Sequence, residues 1–253
     1  MVKPLKIDVD LWKTGLHGAE VGIRQQEQHR AKSRQFTKDS DIFGRVKENG
    51  KDAGYVVYRK DPWNAELPKQ RLIIKYFSDA MAWKGTFEEL LGPGLAHTLA
   101  VDQAMPVFMA NVPKHDPLIR IEKVAKVRSV GKKIYGFEIL RKEKSLEFYK
   151  IDAARFSIGK DWDCYDFRDK KIAHVDGKAL DIGGRYEIKF SKDYVASPPL
   201  EDILIMFAAS QRFLDDVEER LMKVAKDVRK GKYEIDLDTD EVKLYNNPRR
   251  LPV

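Results

Sequence analysis

The five histidines, His17, His29, His97, His115 and His174, include no i, i+4 pair and no HExxH, so the helical geometry that sets two imidazoles on one zinc ion is absent. Ser157 and Ser210 lack the G-x-S-x-G surroundings of a nucleophile elbow. Cys164 stands in an acidic stretch beside Asp163 and Asp166, where negative charge disfavours a thiolate. Gly92-Pro93-Gly94-Leu95-Ala96-His97 carries two glycines of a dinucleotide loop but neither the third nor a Walker lysine, and it reads as a helix stop. No pattern of nucleophile, metal or cofactor chemistry emerges, and the chain is read as not an enzyme.

Two aspartate groups could offer oxygen ligands to a hard cation. Asp161, Asp163, Asp166 and Asp169 straddle a strand and its turn, and Asp236, Asp238 and Asp240 alternate. The second group has Glu241 where an EF-hand loop needs glycine and Asn247 where it needs a bidentate glutamate. Both read first as solvated faces or turns, with calcium a weak alternative at the first group and no other cofactor expected. Cations are more plentiful. Lys123, Lys126, Arg128, Lys132, Lys133, Arg141, Lys142 and Lys144 fall on strands and the turns joining them. From these, Arg128, Lys132, Lys133, Arg141, Lys142 and Lys144 form the candidate site for an anionic head group. Near a negative leaflet each such residue contributes about 1 kcal/mol. A second basic stretch, Arg24, Arg30, Lys32, Arg34 and Lys38, faces only Glu27. Nucleic acid is the competing polyanion, but the basic strands lack the interleaved aromatics of a base-stacking platform.

These groups sit in a chain of 253 residues with net charge +7, 43% hydrophobic and 34% charged, which excludes a disordered or fibrous protein. A single cysteine cannot close an internal disulfide, and a reducing compartment, the cytoplasm, is the expected home. Lys3, Lys6, Asp8 and Asp10 interrupt any secretory h-region after Met1. The apolar run Ile203 to Ala209 falls far short of the roughly 18 to 20 residues of a membrane span, so no transmembrane segment is expected.

The elements that must position the charged groups fall into three parts. Residues 1–40 read as a basic arm. From residue 41 short strands follow: 42–47 and 55–59 flank Asn49-Gly50, a dipeptide suited to a tight hairpin, and 71–77 is β-branched and aromatic. Thr86-Phe87-Glu88-Glu89 has capping-box spacing and predicts a short helix ended by Gly92-Pro93-Gly94. Residues 95–113 leave open a second short helix or a buried strand near 107–109. Between 117 and 192 strand candidates recur with turn signals every eight to twelve residues, as in an antiparallel barrel or sandwich. Ser197-Pro198-Pro199 then opens a long helix reaching about Val228. Its first half, from Ile203 to Ala209, has no polar face and must be wrapped on all sides, which implies a barrel threaded by that helix. Its second half carries a single stripe, and 233–244 reads as a C-terminal hairpin.

Residues Phe156 to Asp163, Tyr165 to Ala173, Tyr186 to Phe190 and Leu200 to Phe213 together resemble the C-terminal half of the Tubby C-terminal-like superfamily. They look closest to its LURP-one-related and phospholipid-scramblase-like branch. The resemblance covers about 147–214 and implies a mainly β (α+β) fold: an antiparallel barrel of about twelve strands around a central hydrophobic helix. Residues 41–214 would form the barrel, and 215–253 a helical and hairpin extension. It also implies binding of phosphoinositide-like head groups, or of a protein partner, at the membrane surface. Calcium is associated with scramblase-like relatives. The acylated cysteine cluster of that branch has no counterpart here, where only Cys164 is present.

Overall fold

The computed structural model describes residues 4–12, 33–113, 115, 117–124, 133–141, 145–154, 160–178, 184–234 and 239–246. The first strand, β1 (Lys6–Leu11), alternates Ile7, Val9 and Leu11 inward with Lys6, Asp8 and Asp10 outward. It lies inside the stretch read as a basic arm, so the barrel begins much earlier than residue 41. Next come β2 (Ser40–Glu48) and β3 (Lys51–Arg59), joined at Asn49 and Gly50, both with positive φ as the tight turn requires. The first half continues with β4 (Ile73–Ser78), β5 (Trp83–Glu89), β6 (Val107–Asn111) and β7 (Ile119–Lys123). The second half is β8 (Ile134–Leu140), β9 (Leu146–Ala153), β10 (Trp162–Asp166), β11 (Lys171–Lys178) and β12 (Arg185–Phe190). All pairings are antiparallel between sequence neighbours, and β1 pairs with both β12 and β2, closing a twelve-stranded barrel.

A single helical turn, α1 (Lys60–Trp63), follows β3, and α2 (Leu91–Val101) follows β5. The capping-box reading at Thr86 fails because these residues are paired in the sheet. Phe87 stacks on Phe108 at 4.6 Å between ring centroids, and the Thr86 hydroxyl accepts the Trp83 indole N–H. Tertiary pairing overrides the local signal. Gly92-Pro93-Gly94 then lies in the first turn of α2 rather than ending a helix. Proline is tolerated there because its missing N–H would have no intrahelical partner.

The long helix exists as two. α3 (Pro198–Ser210) runs through the barrel, and every residue from Asp202 to Ser210 is buried. It packs against β1, β4, β5 and β12, while Phe207 meets Tyr135 of β8 and Trp162 of β10 at 5.4 and 5.2 Å between centroids. The chain turns at Gln211–Phe213, and α4 (Leu214–Arg229) lies across the barrel end with Val217 and Leu221 in the main core. Phe213 marks the corner, ringed by Phe43, Tyr58 and Trp63. The expected C-terminal hairpin is replaced by α5 (Thr239–Tyr245), whose Leu244 packs beside Leu90, Val107, Met109 and Leu118. One barrel end is thus covered by α2, α4 and α5. The other, where α3 enters, is the mouth. Among the described residues no helix is long and apolar enough to cross a membrane.

Candidate functional site

The register of β8 decides the fate of the predicted anion site. Lys133 precedes this seven-residue strand and Arg141 follows it, so the two stand at opposite barrel ends, about 26 Å apart at strand rise. At the covered end Lys133 donates to Glu218 at 2.7 Å and lies 3.6 Å from Asp215, both on α4. Lys123 donates to the same Glu218 at 2.9 Å, and Lys160 to Asp215 at 2.6 Å. These ion pairs fasten α4 to the barrel, so Lys133 is a structural cation rather than part of a converging cluster. Arg128, Lys132, Lys142 and Lys144 lie outside the described residues, as do Arg24, Arg30 and Lys32 of the arm. Arg34 is exposed in the turn before β2, on a segment whose Phe36 packs against Phe77 on the outer face of the sheet.

The four aspartates proposed for calcium do not converge either. Asp161 accepts the Gly177 N–H at 2.8 Å. Asp163 lies 2.7 Å from His174 Nδ1 and 2.5 Å from Lys171 Nζ. Asp166 closes its turn by accepting the Arg168 and Lys170 N–H groups, each at 2.9 Å, and Asp169 pairs with Lys150 at 2.5 Å. Each carboxylate has its own partner, and no group of three or more metal-ligating side chains occurs among the described residues. Asp236 and Asp238 lie outside them, and Asp240 pairs with Arg59 and Lys243. Cys164 is buried, and burial first, with Asp166 and Asp163 second, pushes its thiol far up.

What the fold does bring together is at the mouth. The connections β8–β9, β10–β11 and β12–α3 adjoin there, because β9 pairs with β8 and β10, and β11 pairs with β10 and β12. Leu146, Phe148, Phe167 and Val195 on or beside these connections are 48%, 51%, 63% and 83% exposed. They make up half of the exposed large apolar side chains among the described residues, gathered at one end. Scattered apolar exposure is ordinary, but a gathered patch marks a contact surface. Phe148, Phe167 and Val195 line a shallow groove of about 190 Å³ together with Arg141 and Tyr194. The flanking sequence is basic: residues 141–144 and 168–171 each contain three Lys or Arg to one acid. Arg168 lies over the Phe167 ring at 5.0 Å, so cation and exposed aromatic project as a unit.

Arg141 is held in place. Its Nε donates to Glu147 at 2.6 Å, and the Tyr149 hydroxyl donates to the same carboxylate at 2.6 Å. Burial alone would raise the Glu147 carboxyl, but the hydrogen bonds from Arg141 and Tyr149 hold it below its ordinary value. Behind Arg141 a cavity of about 790 Å³ reaches the start of α3, lined by Trp83, Lys84, His115, Leu140, Glu147 and Asp202 among others. Asp202 is 6% exposed, and burial pushes its carboxyl up to about 7 although Lys84 pulls the other way.

Arg141 was legible as a candidate; Phe148, Phe167, Val195 and Asp202 were not. Phe167 carried a signal, since a phenylalanine inside the turn Asp166-Phe167-Arg168-Asp169 has no core to enter. Asp202 read as an ordinary first-turn acid. No family model, curated protein or solved structure matches the chain.

Proposed function

We propose that the barrel is a non-enzymatic module that docks its mouth onto an anionic lipid surface at the cytoplasmic face of a membrane, as a relative of the Tubby C-terminal-like superfamily in its LURP-one-related and scramblase-like branch. The kinship is supported by the closed antiparallel barrel threaded by an apolar helix. The docking is supported by one observation above all: Leu146, Phe148, Phe167 and Val195 stand exposed at the same barrel end, on connections rich in lysine and arginine. Apolar side chains enter the head-group and acyl boundary while cations meet the lipid phosphates. Arg168 and Lys170 are the described basic residues of this rim, beside Arg141, whose charge Glu147 offsets; Lys142 and Lys144 lie outside the described residues.

Single-stranded nucleic acid is the second reading, since Phe167 with Arg168 would also receive a base. Leu146 and Val195 favour lipid, because an aliphatic side chain gives a base no face to stack on. Co-sedimentation with phosphatidylcholine vesicles, with and without phosphoinositide, run beside RNA and DNA mobility shifts at matched salt, tests the proposal. Retention on the phosphoinositide vesicles is expected, lost in a Phe148→Ser/Phe167→Ser variant. Binding to nucleic acid alone, or retention indifferent to that variant, refutes it.

A further inference from the structure

We propose that the cavity at the mouth is a binding site for an amphipathic amine, with its ammonium on Asp202 and its apolar body along Val112, Leu140 and Val195. The site adjoins the docking rim, sharing Arg141 and Val195 with it, but it takes a dissolved molecule rather than a vesicle surface. At about 790 Å³ the cavity is of the size that encloses a small ligand. Its lining sets apolar Val112, Leu140 and Val195 beside five ionisable side chains, Lys84, His115, Arg141, Glu147 and Asp202.

The floor decides the ligand's charge. Asp202 is 6% exposed, lines the cavity, and makes no hydrogen bond or ion pair among the described residues. A carboxylate so buried is costly unless something supplies a donor or a cation. The start of α3 does not offer the cavity a matching set of anion-binding donors. Pro198 and Pro199 have no N–H, and the N–H groups of Leu200 and Glu201 donate to the Ser197 carbonyl at 2.9 and 3.1 Å. The positive end of the helix dipole opposes a cation here, but that effect is weaker than a charge-assisted bond to a buried carboxylate. Nor does Arg141 make the cavity anion-selective, since Glu147 already neutralises it at 2.6 Å.

The wall suits the same ligand. Val112, Leu140 and Val195 give the cavity an apolar side for an alkyl chain, whereas the Trp83 ring packs against the outer cluster with Phe77 and Met81. Among the cavity's cations, Lys84 is the one whose charge pulls the Asp202 carboxyl down, and it does so without an ion pair among the described residues. It is therefore the ligand's competitor. Asp202 is also faced by Glu48 from β2, Tyr76 from β4 and Glu201 from its own helix, with His115, Arg141 and Glu147 further along the cavity. Ammonium binding should tighten as pH rises through neutrality and Asp202 ionises.

Calorimetric titration of the full chain with octylammonium, octanol and octyl phosphate below their micellar concentrations, without vesicles, tests the site. Octylammonium should bind best, by about tenfold over octanol. Asp202→Asn should remove that margin and the pH dependence, and Lys84→Met should tighten octylammonium binding. Two variants keep the test open if one fails to fold. Octyl phosphate binding more tightly than octylammonium, equal octylammonium affinity in Asp202→Asn, or no binding of any of the three overturns the proposal. None of these results bears on vesicle retention, which reports on the rim alone.

Discussion

Asp202→Asn should stabilise this protein, against the usual direction of a substitution in a buried helix. The folded chain holds the Asp202 proton up to about pH 7, whereas an unfolded aspartate releases it near 3.8. An acid whose folded-state pKa is raised makes the folded state the better proton binder, so stability is greatest below 3.8, falls as pH rises, and levels off above about 7. At about 1.36 kcal/mol for each pH unit, the interval from 3.8 to about 7 corresponds to about 4 kcal/mol lost at alkaline pH. Asparagine keeps the shape and carries no charge, so the variant should lose none of this. With a urea slope of about 2 to 3 kcal/mol per molar, its midpoint at pH 8.5 should lie roughly 1.5 M above that of the parent, and the two should converge near pH 4. Urea unfolding followed by tryptophan fluorescence across this range is the assay. Parallel curves at every pH would refute the claim that the carboxylate is buried without a partner. A cost of this size at a cavity is what a binding site retained at the expense of stability looks like.

The covered end is predicted to be held by a buried clasp, in which Arg220 of α4 donates to both Glu89 oxygens while Glu89 also accepts the Leu72 N–H. Arg220→Met should cost about 3 to 5 kcal/mol by leaving Glu89 without its cation, and adding Glu89→Gln should recover part of it in thermal melts. Phe207→Ala, which hollows the contact between α3, Tyr135 and Trp162, should cost about 3 to 5 kcal/mol by urea unfolding, whereas a helix lying on an open sheet would lose far less. Cys164, buried and with its thiol pushed up, should resist thiol reagents at pH 8 in the native protein and react on unfolding, and labelling at the rate of free cysteine would contradict its position.

The legible part of this chain was the part governed by short-range pattern. The helix Ile203 to Ala209, with no polar face, implied an enclosing sheet, and alternation at Ile119–Glu122 and Arg185–Phe190 marked strands before any pairing was known. Where two local signals compete, long-range contact decides. Thr86 to Glu89 satisfies a capping box and a strand equally, and the strand prevails because Phe87 meets Phe108 and Glu89 meets Arg220. Lys6–Leu11 alternates as cleanly as the later strands, but it adjoins a basic stretch and its closing partner β12 lies far away in sequence. The candidate site was least legible because charge count says nothing of barrel end. Lys133 and Arg141 are close in sequence and separated by a full strand in space. Asp202 is ordinary in the sequence, and only the cavity before it makes it a candidate.

Docking through the mouth requires that end of the barrel, and not the covered end, to face the bilayer. A polarity-sensitive dye on a cysteine introduced at Val195, at the mouth, and separately at Met222, on exposed α4 at the covered end, reads this directly, since Cys164 is buried and should remain unlabelled. With phosphoinositide vesicles the Val195 dye should shift to the blue and lose that shift in high salt, while the Met222 dye stays unchanged. A shift at Met222, or none at either position despite co-sedimentation, would contradict the proposed docking face.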